Sequence, residues 1–151
     1  MTRVRTAGIL LVAAMIGLGC GGNDDTADQF REGYNAAIDR LNEVNTNLQE
    51  SGEELTTQPG SEIAREFERI AEVGAQTRAE LAELAPPAEA REEFDQLLAA
   101  IRDAVMDIRE VAGAAREGNQ DEFAEATEGL EESSEEIREA EAELKDAMES
   151  D

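Results

Sequence analysis

The side chains of this sequence that could do chemistry are almost all carboxylates. There are 37 Asp and Glu against 13 Lys and Arg, and no histidine. The densest reactive run is Glu131-Glu132-Ser133-Ser134-Glu135-Glu136. Carboxylates on facing helices hold di-metal centres, but those sites also draw imidazoles from Glu-x-x-His motifs, and this chain has none to offer. Calcium asks for about six to eight converging oxygens, usually from a loop with a glycine turn. Asn23-Asp24-Asp25 and Asn119-Gln120-Asp121-Glu122 are too short for that. Ser133 and Ser134 lack a histidine to activate them, and Lys145, the only lysine, is not at helical spacing from either. No glycine-rich phosphate loop occurs, since Gly21-Gly22 reads as part of a tether. A single Cys excludes an internal disulfide and a Cys-rich zinc site. The expectation is a protein that is not an enzyme, with no catalytic residues, no metal and no cofactor.

The exception is Cys20, because of where it lies. Met1-Thr-Arg-Val-Arg5 is a short basic head, and residues 7–18 form an apolar stretch of export-signal length. The apolar run stops at Gly21-Gly22-Asn23-Asp24-Asp25, short of the roughly 20 residues that a membrane-spanning helix needs. Gly17-Leu18-Gly19-Cys20 resembles the lipobox of bacterial lipoproteins. Gly19 and Cys20 match that pattern, and Gly17 stands where the family favours Leu. The resemblance implies that residues 1–19 are removed and that Cys20 carries a diacylglycerol thioether and acyl chains such as palmitate. More than one chain on one residue makes a stable anchor, at about 0.8 kcal/mol per buried methylene. Competing readings are an ordinary signal peptide with an incidental Cys20, an uncleaved short anchor, and a Cys buried in a core helix. The sole Cys of the chain lies where the lipobox needs it, followed directly by Gly, Asn and Asp.

Charge limits the partners. With Arg3 and Arg5 in the leader, the mature part keeps 11 basic residues against 37 acidic ones, a net charge of −26. Nucleic acid is excluded, because its binding rests on cations set against phosphate. Close approach to an anionic membrane surface is also opposed. A charge of this size keeps an exported protein soluble, and it leaves room for a basic partner or diffuse divalent cations.

The remaining residues specify helices. Apolar side chains recur every three or four positions, and nothing alternates at period two. A first helix is expected over about 26–55, with the stripe Phe30, Tyr34, Ala37, Leu41, Val44, Leu48 and a cap at Asp25 or Thr26. Thr56-Thr57-Gln58-Pro59-Gly60 is a break. A second is expected over 61–85, capped by Ser61, with Ile63, Phe67, Ile70, Gly74, Thr77, Leu81 and Leu84. A third starts at Pro87, whose missing N–H is not needed in a first turn, and runs to 117, with Arg116 and Gly118 as its stop. A fourth covers 120–148, opened by Asn119 and Glu122 at capping-box spacing. Short second and third loops force antiparallel neighbours. The expected fold is all-α: an antiparallel up-down-up-down four-helix bundle over 27–149, behind a tether at 20–26. The runner-up is a long antiparallel coiled coil or helical hairpins. The broad apolar face of the third helix favours the bundle.

That topology places bulky residues at the two ends of the bundle. Phe30, Tyr34, Leu81, Leu84, Phe94 and Leu144 would gather at the membrane end. Leu48, Leu55, Ile63, Phe67, Val111 and Phe123 would gather at the other. Leu41, Val44, Ile70, Gly74, Ala104, Val105 and Ser133 would fill the middle, a thin waist lined by smaller residues. That waist is either close helix packing or a small apolar cavity.

Leu81-x-x-Leu84-x-Pro86-Pro87, followed by Phe94 and Leu97-Leu98, resembles the centre of small helical lipoproteins of actinobacterial-type, high-GC bacteria. The likeness covers about residues 60–115. It implies a helical envelope domain and brings no activity with it. The functional expectation is an extracytoplasmic bundle, lipid-anchored to the outer face of the cell membrane, acting as a non-enzymatic interaction or envelope-associated module. Its partners would be the membrane, through Cys20, and an envelope protein. The alternative is a protein that binds a small apolar ligand or lipid in the bundle interior.

Overall fold

The helical period of the apolar residues is realised as four helices in a computed structural model that describes residues 24–55 and 60–149, with side chains for 27–43 and 60–149. They are α1 (Asp24–Leu55), α2 (Gly60–Leu81), α3 (Arg91–Glu117) and α4 (Gln120–Glu149), and no strand occurs among the described residues. The protein is an all-α helical bundle. The leader, Cys20 and the break at 56–59 lie outside the described residues, as do the side chains of Val44, Leu48 and Leu55.

Contacts between consecutive helices run in opposite order along each pair. On α1 and α2, Gly33 abuts Leu84 beyond the end of α2, and Arg40 pairs with Glu80. On α2 and α3, Gly60 lies against the Ala115 carbonyl, Gly74 against Val105, and Arg78 Nε donates to Leu98 O at 2.9 Å. On α3 and α4, Asp107 meets Gly129, while Gln96 and Glu143 share one groove.

The helix ends differ from the expectation at three places. α1 already starts at Asp24, so Asp25 and Thr26 lie inside the helix and the tether gives up its last residues to it. α2 starts at Gly60, which puts Ser61 within the helix instead of at its cap. α2 also stops at Leu81, four residues short of Ala85. The chain there tightens into a turn in which Leu84 N–H donates to Leu81 O at 2.9 Å. Pro86 and Pro87 bar the helix from passing Ala85, because a residue before proline is driven out of the α region, and the chain has already left the helix in the turn at 82–84. Pro87 does not open α3. Its ψ of 152° is extended, and a 3-10 turn (Ala88–Ala90) intervenes before Arg91. That turn drives Ala90 into the core, fully buried.

The α3–α4 corner follows its sequence signals. Gly118 takes φ +69°, its N–H donates to Ala115 O, and the Asn119 N–H donates to Ala114 O. This is a Schellman closure, and it needs the left-handed residue that glycine supplies without a Cβ penalty. The Asn119 Oδ1 then accepts from the N–H groups of Asp121 and Glu122, at 3.2 and 3.4 Å, and caps α4.

Among the described residues the two ends of the core can be followed. At one end Phe30, Tyr34, Leu81, Phe94 and Leu144 are buried in one cluster, with Leu84 packed on it. Phe30 meets Phe94 edge-on at 5.1 Å and stacks with Tyr34 at 6.0 Å. At the other end Phe67 and Phe123 meet edge-on at 6.5 Å and are only half-buried. Ile38 and Met148 also enter the core cluster, beyond the residues assigned to it from periodicity.

Candidate functional site

The waist is tightly packed where α2 crosses α3. A Cβ placed on Gly74 would come within 2.9 Å of Val105 Cγ2, so the missing side chain is what allows the approach. Ala104, Val105, Ile70 and Ser133 are all buried around it. Small residues at this level bring helices together.

The serines and most of their acidic neighbours separate in space. The Ser133 and Ser134 hydroxyls both donate to the Leu130 carbonyl, at 3.3 and 2.7 Å, which is ordinary back-bonding within a helix. Glu131, Glu132, Glu135 and Glu136 are exposed. Lys145 pairs with Glu149 at 3.9 Å. Among the described residues no three Asp, Glu, Cys or His side chains are placed to share a metal ion. No helix among them is long and apolar enough to cross a membrane.

Two arrangements remain that the sequence reading did not single out. The first is a groove of about 340 Å³ between α3 and α4. Its floor is Ala99, Ala100 and Ala140, small enough to leave a furrow along the helix pair. Its α4 wall is Glu136, Glu139 and Glu143, three carboxylates on one face at spacings of three and four. On the α3 wall Asp103 is already neutralised by Arg102, which grips it with two hydrogen bonds of 2.9 and 3.1 Å. That hydrogen bonding holds the Asp103 carboxyl below its usual range. Among the described residues no ion pair engages Glu136, Glu139 or Glu143. The furrow continues past Gln96 into a wider hollow of about 580 Å³ that Arg91, Glu92 and Asp95 border.

The second arrangement is the seam between α1 and α4. Tyr34, on α1, is buried. Burial first, and then the Glu141 carboxylate of α4, push its phenol above the ordinary tyrosine value. Glu141 Oε1 is withdrawn from water and has no hydrogen-bond partner among the described residues. Burial alone raises its carboxyl to about 7. A signal for Glu141 was present in the sequence. It follows Ile137 by four residues and precedes Leu144 by three, so it borders the apolar stripe of α4. Only the position of α1 makes that border an interior position.

No family model, curated protein or solved structure matches the chain.

Proposed function

We propose that this chain is the precursor of a lipoprotein whose acidic bundle stands on the outer face of the cell membrane and binds a basic partner in the α3–α4 groove. Residues 1–19 are the removable export signal, Cys20 carries the lipid, and the module is not an enzyme. The observation that carries the reading is the row Glu136, Glu139, Glu143 above an alanine floor, with none of the three in an ion pair among the described residues. Arginine or lysine side chains spaced along a helix or extended segment would meet this row. Each exposed pair contributes only about 0–1 kcal/mol, so specificity comes from several pairs in register. The surrounding negative field steers such a partner and raises its association rate. Met106 is the one large apolar side chain exposed among the described residues, which favours a charged contact over an apolar one.

The test is crosslinking in cells from a photoreactive side chain at Ala99, with mass spectrometry of the trapped partner and of the mature N-terminus. The reading expects one envelope protein, crosslinked through a basic segment and lost when Glu136, Glu139 and Glu143 are replaced by Lys. It also expects a mature chain that begins at acylated Cys20. Crosslinks that survive the charge reversal would remove the groove as the binding face. Lipid that co-purifies with the bundle, in place of a protein partner, would turn the reading to an interior ligand. An unmodified N-terminus would remove the anchor.

A further inference from the structure

We propose that Glu141 is a protonation-dependent latch for helix α1: neutral, it seals the α1–α4 seam; ionised, it loosens α1 from a core of α2, α3 and α4 that stays closed. Helix α1 is the element held differently from the rest. Its backbone approaches α2, yet among the described residues no Cα of α1 comes within 8 Å of one in α3 or α4. Side chains span that wider gap, with Phe30 reaching Phe94 and Tyr34 near enough to α4 for the Glu141 charge to act on its phenol. Glu141 sits in this gap with Oε1 shut off from water and from any donor among the described residues. A carboxylate left so is costly, whereas the neutral acid is tolerated. Burial brings the exchange between the two forms to about neutral pH.

The charged groups around the seam do not compensate an ionised Glu141. From α1, Tyr34 faces it as a neutral phenol, and Arg31, one turn earlier, is turned to Asp28 at 3.5 Å. From α2, Arg78 is held by the Leu98 carbonyl, and Glu80 by Gln76 and Arg40. From α3, Glu93 is itself an acid, with a buried Oε2 that has no partner among the described residues, and Arg102 is spent on Asp103. On α4, Arg138 turns to Glu135 and to the Ser134 carbonyl, and Lys145 turns to Glu149. Parting α1 from α4 would return water to the Oε1 of an ionised Glu141.

Tyr34 offers a built-in reporter, being the one tyrosine of a chain without tryptophan. The experiment follows amide hydrogen exchange of residues 27–43 and Tyr34 emission in the full chain, purified in detergent, between about pH 5 and pH 8, with exchange divided by intrinsic rates. The opening constant of α1 is expected to rise roughly tenfold per pH unit up to about pH 7 and then level off, as linkage to one proton requires. Amides of α3 are expected not to follow. In Glu141→Gln the profile is flat, α1 stays protected at pH 8, and Tyr34 emission no longer titrates. The exposed neighbour variant Glu139→Gln keeps the wild-type profile. Opening of α1 that ignores pH in the wild-type chain would overturn the proposal, as would a titration that survives in Glu141→Gln or is shared equally by α3.

Discussion

Thr77 and Glu141 are polar side chains placed in an apolar interior, and each makes a measurable demand. Thr77 is fully buried, and its Oγ1 has no hydrogen-bond partner. A hydroxyl buried without a partner costs about 1–3 kcal/mol, so Thr77→Val should stabilise the bundle by about 1 kcal/mol, read as a higher urea midpoint. An unchanged or lower midpoint would mean that the hydroxyl finds a partner in solution. Glu141 acts in the opposite sense to most carboxylates of stable proteins. Its folded value of about 7 lies above the ordinary 4.5, so the folded chain binds the proton more tightly. Its contribution is fully present below about pH 4.5 and is lost as pH rises to about 7, beyond which it stays constant. At about 1.36 kcal/mol per unit of difference the total loss is about 3 kcal/mol, an upper figure because the residue is only partly buried. Glu141→Gln should therefore be more stable than the wild-type chain at pH 8 and close to it at pH 4. Leu144, wholly buried in the core cluster, should lose about 2–5 kcal/mol as Leu144→Ala.

The helices end where particular residues make continuation unfavourable, and those ends set how the elements meet. Gly118 at φ +69° closes α3 and reverses the chain within two residues. Gly118→Ala should cost about 1 kcal/mol through its left-handed backbone, with no change in the far-ultraviolet helical signal at low temperature. Asn119→Ala should cost a similar amount, about 0.5–2 kcal/mol, by leaving the first N–H groups of α4 without an acceptor. Thermal melts of the two variants check both, and a Gly118→Ala chain as stable as wild type would contradict the geometry of the corner. At the other corner the helix stops earlier than a simple count of helical residues up to Pro86 and Pro87 suggests. α2 finishes at Leu81 and a turn at 82–84 leads into the prolines. The 3-10 turn that follows seats Ala90 in the core beside Phe94. The α3–α4 corner was thus readable from Gly118 and Asn119 alone. The α2–α3 corner was readable only as a break, because its shape depends on which small residue the core accepts.

At the scale of the whole molecule, the charge is the dominant surface property. The chain carries −24, and its arginines mostly form exposed pairs such as Arg65 with Glu62 and Arg138 with Glu135. Such pairs contribute little each, and they leave a large excess of repulsion. Raising salt from about 10 mM to about 150 mM shortens the screening length to about 8 Å and weakens that repulsion. The melting temperature should therefore rise with salt at constant pH, while association with a basic partner should slow. A melting temperature that falls with salt would mean that attractive pairs outweigh repulsion. The two responses run in opposite directions, so one salt series separates stability from recognition.

Periodicity determined the helices of this protein and their buried stripes, and Gly118 with Asn119 determined the α3–α4 corner. They sufficed because each is a local property: a side chain's place on a helix follows from its spacing, and a cap follows from the residues beside it. The lipobox reading is equally local and rests on residues 1–20 alone. Tertiary structure decided the rest. It placed Ala99, Ala100 and Ala140 under a row of glutamates to make a groove, and it set α1 at a distance from α4 that closes over Glu141 without supplying it a partner. Both depend on the distance between helices that are remote in sequence, and that distance is set by the packing of many side chains at once.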